Sequence, residues 1–477
     1  MERFDVIVVG GGIAGLSAAY ELSRTPMSLV VLEAGPRAGG VVLSEEIDGY
    51  TIDGGPDALL VQKPDGIRLC AELGLGSRLV ATQRPRLAFI QRAGRLYALP
   101  AASVLGIPTR VWPFLRSRLF TWSGKVRMGA ELFIPRRRDD GDESIGSFIT
   151  RRFGAEATQY VAEPLLAGIH AGDVDRLSLR ALFPRFAEAE RVRGSLLRAF
   201  RSSMHRPADP DGAFRSLPGG LSEMIRALLR ALPPDAVRVG MPAERAIASA
   251  GPHPGSAPRL LPPRFRVTTA AGVPLEAQAL VLATPAFVTG AIVRDLDADL
   301  ARLCSEVRYE STATVALAFR REAVAHPLNG SGFVVPRTER TGILAASWLS
   351  SKWPHRAPEG AVLLRTFFGG ARDPRALEQS DRELVTRSMS ALQPVLGIRT
   401  EPLFTRVYRW ERASAQHEVG HLERMAAIDR AVARHPGLFV TGSGFRGVGI
   451  PDCIADGRAT GRSVVKWLGD IRVVVSR

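Results

Sequence analysis

Two stretches of this chain hold residues at spacings that do chemistry. His417–Glu418–Val419–Gly420–His421 completes H-E-x-x-H, a pattern in which two imidazoles one helical turn apart bind zinc and the glutamate acts as general base. Gly10–Gly11–Gly12–Ile13–Ala14–Gly15 completes G-x-G-x-x-G directly after the apolar run Val6–Val9. There Gly10 permits a tight turn, Gly12 lets the backbone approach a pyrophosphate at a helix N-terminus, and Gly15 lets helix and strand pack closely. Glu33 closes the next apolar run, "LVVLE"; a carboxylate there accepts hydrogen bonds from ribose hydroxyls and repels a 2′-phosphate, which disfavours NADP. Zinc makes different demands: both histidines on one face of a formed helix, and a third ligand. Gly420 interrupts the motif, the helical pattern begins near Leu422, and the next histidine, His435, follows a whole helix and abuts Pro436. The reading is a chance completion with no metal, and a dinucleotide cofactor.

The elements that must position these residues read as follows. "FDVIVVGGGIAGLSAAYEL" is strand, glycine turn and helix, and residues 29–35 are a second parallel strand, so the chain opens on a βαβ unit. Residues 101–206 turn mostly helical and Arg-rich. A loop over 209–221 leads to a helix at 221–231 and strands near 236–240, 264–269 and 277–283, with a Pro-rich segment at 251–263. Residues 310–370 alternate strand-like runs with turns; a helix is predicted near 380–392, and "LERMAAIDRAVARHPG" is a helix stopped by Pro436 and Gly437. "LFVTGSGFRGVGIPDCI" then repeats the opening theme: a buried strand, Gly442, Gly444, Gly447 and Gly449, and a final helix over 453–468. A long cofactor touched from both ends of the chain suits FAD better than NAD, because the ribityl and flavin extend beyond the ADP half.

Composition narrows the class. The chain has 477 residues and a net charge of +15, and only four of its 63 basic residues are lysine (Lys63, Lys125, Lys352 and Lys466). Such a length implies two or three domains, and such a charge an anionic partner or a compositional bias toward Arg. Cys70, Cys304 and Cys453 are scattered, which fits a reducing compartment without disulfides or a cysteine zinc site. No signal peptide or membrane-spanning run is evident, so the expected location is cytoplasmic. Residues 110–138 carry eight cations (Arg110, Arg116, Arg118, Lys125, Arg127, Arg136, Arg137 and Arg138) against Glu131, interleaved with Trp112, Phe114, Leu115, Leu119, Phe120 and Trp122. Residues 176–206 add eight arginines against Glu188 and Glu190. Cations among aromatics suit peripheral contact with the inner face of a membrane. No reader motif accompanies the charge, so nucleic acid is not expected.

"GGGIAGLSAAY", "EAGPRAGG", "GPDALL", "AGIHAGD", "GSGFVVP" and "GFRGVGIPDCI" together resemble the oxygen-dependent porphyrinogen oxidases of haem biosynthesis, FAD enzymes of the monoamine oxidase and phytoene desaturase superfamily. The resemblance runs nearly end to end, and "AGIHAGD" with "GVGIPDCI" is its specific part. It implies an α/β fold: a Rossmann-like FAD-binding domain assembled from residues 1–85, 207–295 and 411–477, a mixed α+β substrate domain over 296–410, and a mainly helical, membrane-facing insert over 86–206. It implies oxidation of protoporphyrinogen IX to protoporphyrin IX by successive hydride removals to flavin, with O2 regenerating the flavin and H2O2 released. Coproporphyrinogen III is the alternative substrate, and a flavin amine oxidase or carotenoid desaturase a further one. An amine oxidase would show an aromatic pair caging the amine at the flavin face, and none is identified. A non-catalytic flavoprotein would bind FAD without turnover.

Carried onto this sequence, the resemblance assigns FAD to Gly10, Gly11, Gly12, Ile13, Ala14, Gly15, Glu33, Ala34, Arg37, Gly40, Val41, Gly55, Pro56, Asp57, Ala58, Ala243, Trp410, Gly442, Val448, Gly449 and Ile450. It assigns a substrate propionate to Arg86, the backbone wall beside the macrocycle to Gly168 and Ala171, and its ring faces to Val334, Ser347 and Phe367. Two positions depart: Ser347 stands where an aliphatic is usual, and Ser331 where phenylalanine is expected between two glycines. Gln416, Gly420, His421 and Trp410 match the family's own pattern of Q-x-x-x-G-H after a tryptophan, which explains the apparent zinc motif. No side chain is assigned as acid or base, since the flavin does the chemistry. A homodimer and hand-off to a ferrochelatase complete the expected partners.

Overall fold

In the apolar run at the N-terminus, Val6, Ile7 and Val8 have no solvent exposure, as expected of a parallel strand covered on both faces. The computed structural model describes residues 1–99, 103–104, 107–108, 111–139, 141–203, 209–249 and 264–475; the Pro-rich segment, Arg110 and Arg206 lie outside them. Strand Glu2–Val9 pairs in parallel with Leu29–Leu32 on one side and Pro274–Leu282 on the other. Leu29–Leu32 pairs on with Val237–Arg238, while Leu438–Val440 lies parallel to the second half of Pro274–Leu282. The carboxyl ends of strands from both ends of the chain therefore meet at one edge. Phe265–Thr269 and Ala243–Ala248 extend the sheet antiparallel. The latter strand is missing from the sequence reading because Ala246 alone in it is buried.

Helix Ile13–Ser23 runs along the final helix, Ile450–Val475, which starts earlier than the apolar pattern suggests. Their backbones touch: a Cβ on Gly457 would lie 2.2 Å from the Ala14 carbonyl oxygen, and one on Gly461 2.8 Å from that of Ala18.

A second sheet has the order Phe404–Ala415, Tyr309–Arg320, Ala361–Gly369, Ala345–Trp348, Gly332–Val334, Phe89–Arg92, Arg95–Ala98. The hairpin of the last two strands, grouped above with the insert, is thus hydrogen-bonded into this sheet, in parallel to Gly332–Val334. Residues 411–415, grouped above with the FAD domain, likewise continue a strand of this sheet. Helix Asp381–Leu396, begun by a Ser380–Glu383 capping box, covers one face with Leu384, Leu392 and Leu396. The insert is helical as expected, including Trp122–Gly129, Ile145–Phe153, Glu163–His170 and Pro184–Arg193. Its centre is Arg152, fully buried, which pairs with Glu131 and, at 3.3 Å, with Glu190.

Residues 53–57, at the end of a two-stranded sheet formed by Ser44–Ile47 and Tyr50–Asp53, are tied to the second large sheet. Asp53 pairs with Arg356 at 2.8 Å, both without exposure. Asp57 accepts from Lys352 Nζ at 2.7 Å and Trp353 Nε1 at 2.8 Å, with Arg365 Nη2 3.4 Å away. Burial opposes ionisation of Asp57, but Lys352 and Arg365 overcome it and hold the carboxyl well below its usual range. Removing one partner of a buried pair strands the other charges at a cost of about 3–5 kcal/mol. Asp57→Asn, which keeps the shape and removes the charge, is expected to destabilise the chain by about that amount in a chemical denaturation curve.

Candidate functional site

The glycine turn has the geometry its spacing implies. Gly10 has φ +107°, and a Cβ there would lie 2.7 Å from Ala283 O; one on Gly15 would lie 1.9 Å from Gly10 O. A Cβ on Gly12 would meet nothing within 4 Å. Gly12 caps helix Ile13–Ser23 without a side-chain hydrogen bond, and no acidic residue stands in its first turn. This leaves an open, unneutralised helix N-terminus, the arrangement that receives a pyrophosphate. Glu33 accepts the Gly11 N–H on Oε2 and the Gly35 N–H on Oε1, each at 2.7 Å, which fixes the carboxylate and leaves lone pairs for a ribose. Ala34 is exposed beside it, and Met241 donates its N–H to Glu33 O two residues before Ala243. Arg37 folds back on the carbonyls of Gly40 (2.7 Å) and Val42 (3.0 Å). That turn rests on the first one: a Cβ on Gly40 would lie 3.3 Å from Gly12 Cα. The residues present fit a dinucleotide.

The strip from Gly54 to Ala58 runs from the Arg37–Val42 turn to the second sheet. A Cβ on Gly55 would lie 1.9 Å from Val41 O. Trp410 Nε1 and Thr314 Oγ1 donate to Gly54 O at 3.0 and 2.9 Å, and Arg365 donates to the carbonyls of Asp53 and Gly55. Pro56 and Ala58 remain half-buried. The Asp57 carboxylate is taken up by Lys352, Trp353 and Arg365, so its side chain serves the sheet junction, and backbone is what it offers a cofactor. From the other end of the chain comes Gly442 (φ +117°), where a Cβ would lie 3.9 Å from Ala14 Cβ and from Ala283 O. Val448 is half-buried and Gly449 exposed, and Ile450 opens the last helix.

The substrate-side residues converge in part. A Cβ on Gly168 would lie 3.5 Å from Val334 Cγ1 and 3.8 Å from Ala345 Cβ. Ala345 pairs across the sheet with Phe367, whose ring is backed by the Arg365 guanidinium at 4.7 Å. Ala171 ends helix Glu163–His170 in the left-handed conformation, and its carbonyl accepts the Ala371 N–H at 2.8 Å. Ser347 pairs with Gly332 and turns its Oγ to Ser331 O at 3.3 Å. Arg86 stands apart, held by Thr82 O (3.0 Å) and Pro210 O (2.7 Å); among the described residues it makes no ion pair. It precedes Leu87, whose carbonyl accepts the Ser331 N–H at 2.7 Å.

The sequence reading passed over Lys63, His170 and Asp452. Lys63 Nζ lies 2.6 Å from Asp452 Oδ2; desolvation of the His170 ring disfavours its protonation, and His417 and then Lys63 add to this. The one signal in the sequence was scarcity: two of four lysines, Lys63 and Lys352, bear on this region.

H-E-x-x-H does not form a metal site. Helix His421–Ala433 begins at the second histidine, so His417 precedes it. The two rings stack at 3.7 Å between centroids, 13° from parallel. Each gives Nε2 to a backbone carbonyl at 2.9 Å, His417 to Ser443 and His421 to Phe445. Stacked rings cannot both aim at one ion, and Glu418 is engaged by Arg176 at 3.0 Å. No cluster of three metal-binding side chains occurs among the described residues.

The profile of the family described as flavin containing amine oxidoreductase matches residues 13–465. The chain is 33% identical to the coproporphyrinogen III oxidase of Bacillus subtilis over 97% of its length and 98% of that protein's. It is 28% identical to the chloroplastic protoporphyrinogen oxidase of Nicotiana tabacum, over 95% of this chain and 84% of that one. A crystal structure from Exiguobacterium sp. 255-15 superimposes with a TM-score of 0.84 at 31% identity, covering 97% of this chain and 98% of that one.

Burial lowers the pKa of His170 to about 4 and of His421 to about 3, and neighbouring His417 adds to both. The unfolded chain takes up these protons near pH 6.5 and the folded chain does not, so stability falls as pH drops from about 6.5 toward 3. His421→Gln is expected to flatten that acid limb relative to the unaltered chain in denaturation curves at pH 7 and 5.

Proposed function

Because the chain belongs to the flavin-containing amine oxidoreductase family, we propose that it oxidises a porphyrinogen to the porphyrin, with FAD as hydride acceptor and O2 as final oxidant. Bound FAD supplies the electron-accepting ring, and the protein supplies position and exclusion of water. Gly10–Gly15 and Glu33 hold the ADP half; Gly55–Ala58, Trp410 and Gly442–Ile450 line the path of the rest. The observation that carries the substrate reading is Gly168 facing Val334 and Ala345. Gly168, Val334, Ala345 and Phe367 come from separate segments and bring small and apolar groups together, the kind of lining suited to one side of a macrocycle. An amine oxidase reading is weaker, since the face of Phe367 is covered by Arg365 where a second aromatic would have to stand. Ser347 fits as well, because its hydroxyl is turned to the Ser331 carbonyl and its methylene takes the place of an aliphatic.

Of the two porphyrinogens, coproporphyrinogen III is favoured over protoporphyrinogen IX. Identity is higher to the Bacillus coproporphyrinogen III oxidase than to the tobacco protoporphyrinogen oxidase, and the match covers more of that relative. Arg86, held by the carbonyls of Thr82 and Pro210 and near Asp209, which pairs with Arg215, is the cation we assign to a propionate, and coproporphyrinogen III carries four.

The insert supports a peripheral membrane contact. Phe114, Leu119 and Phe120, read from sequence as part of the basic aromatic patch, are core residues; Trp112 (73% exposed), Trp122 (70%), Val126 (71%) and Phe133 (84%) are the side chains left to solvent. Arg116, Arg118, Arg136 and Arg138 are exposed with them, a combination suited to anionic lipid. Among the described residues no helix is long and apolar enough to cross a membrane.

Aerobic assay of both porphyrinogens by porphyrin fluorescence is expected to show faster turnover of coproporphyrinogen III. Turnover of neither substrate by FAD-loaded protein overturns the reading. Arg86→Ala is expected to raise KM for coproporphyrinogen III about tenfold or more, as loss of one charged contact would. Sedimentation with vesicles of anionic lipid is expected for the chain and not for a Trp112→Ala, Trp122→Ala double variant.

A further inference from the structure

The segment after strand Leu438–Val440 is held by contacts of two kinds. At its start, Asp456 on the final helix accepts from Thr441 Oγ1 at 2.6 Å and from the Gly442 N–H at 3.2 Å. That places Gly442 against the glycine turn, near Ala14. Beyond it, the carbonyls of Ser443 and Phe445 accept from His417 and His421. A carbonyl accepts only from an N–H, so both imidazoles carry their proton on Nε2. The His421 Nδ1 is buried with no hydrogen-bond partner, a cost a general structural side chain would avoid.

The residues around these histidines also grip the opposite wall of the site. Gln416 Nε2 and Ser414 Oγ each donate to His170 O at 2.9 Å. A Cβ on Gly172 would lie 2.3 Å from Gln416 Oε1. The Ser178 N–H donates to His417 O at 2.8 Å, and Glu418 bridges to Leu177. Residues 414–421 therefore form a strut between the turn that ends the Gly168 helix and the loop over 442–449.

We propose that the stacked His417–His421 pair is a positioning device that fixes the backbone at 443–445, and with it the flavin end of FAD, at a set distance from the Gly168–Ala171 wall. The proposal rests on the FAD reading above. The two imidazoles touch neither the turn at Gly10–Gly15 nor Glu33, so they act on the flavin half and not on the ADP half. The motif that imitates a zinc site is, in this assignment, a backbone clamp: stacking keeps the rings parallel, which aims both Nε2–H groups the same way, at carbonyls two residues apart.

The test is titration of the full-length apoprotein with FAD and, separately, with ADP, which reaches only the N-terminal cradle. His417→Ala and His421→Ala are expected to weaken FAD about tenfold and to shift the visible flavin spectrum, with ADP affinity unchanged. His421→Gln, whose amide N–H can replace the Nε2 donor to Phe445, is expected to recover most of the FAD affinity. Equal weakening of FAD and ADP would indicate general destabilisation and overturn the proposal, as would unchanged FAD binding and spectrum. If His421→Ala is not recovered folded, His417→Ala and His421→Gln carry the same comparison. An unaltered chain that binds ADP but not FAD would instead overturn the cofactor reading.

Discussion

Asp53 and Asp57 are buried against the second sheet, and a buried carboxylate without cations is too costly to persist. Their partners are close in sequence: Lys352 ends a short helix, Arg356 stands in the loop after it and Arg365 on strand Ala361–Gly369 of the second sheet. Residues 53–57 can therefore dock on that sheet in one register. The strip between the two aspartates is threaded through that junction, its carbonyls taken by Trp410, Thr314 and Arg365. Arg365 also backs Phe367. One guanidinium thus connects the strip along which the cofactor would run to the ring that would face the substrate.

Hydride transfer to a flavin asks for distance and orientation more than for acids or bases. The structure answers with close backbone contacts. Gly15 on Gly10, Gly55 on Val41 and Gly457 on Ala14 leave no room for a Cβ, so each spacing is set by hard contact. Hard contacts resist deformation where longer side chains would bend.

Charge is a poorer guide than its size suggests. Many arginines of the insert point inward: Arg127 donates to the carbonyls of Arg151 and Arg152, Arg151 pairs with Glu190 and Glu143, and Arg152 is wholly buried. Guanidinium suits this use, since it offers five donors in a fixed fork and loses its charge to no physiological pH. Only a subset of the basic stretch, with the exposed tryptophans, remains for a surface partner.

The βαβ opening, Glu33 at the end of its second strand and the second glycine turn were legible in the sequence because each depends on neighbours within a few residues: a tight turn, a helix start, a strand end. A common role for Gly168, Val334 and Phe367 was suggested only by resemblance, Ala345 was not singled out, and the fold is what brings those segments together. Edge strand Ala243–Ala248 was missed because a strand exposed on one face and at its edge lacks a buried alternation. The membership of the Phe89–Ala98 hairpin was missed because hydrogen-bond partners far along the chain leave no local trace. By itself the sequence determined the glycine turns and the open helix start beside Glu33, since glycine conformations and helix termini are local physics. The tertiary structure alone decided which aspartate pairs with which cation, which aromatics stay wet, and that His417 and His421 clamp a loop, because burial and pairing are properties of the packed whole.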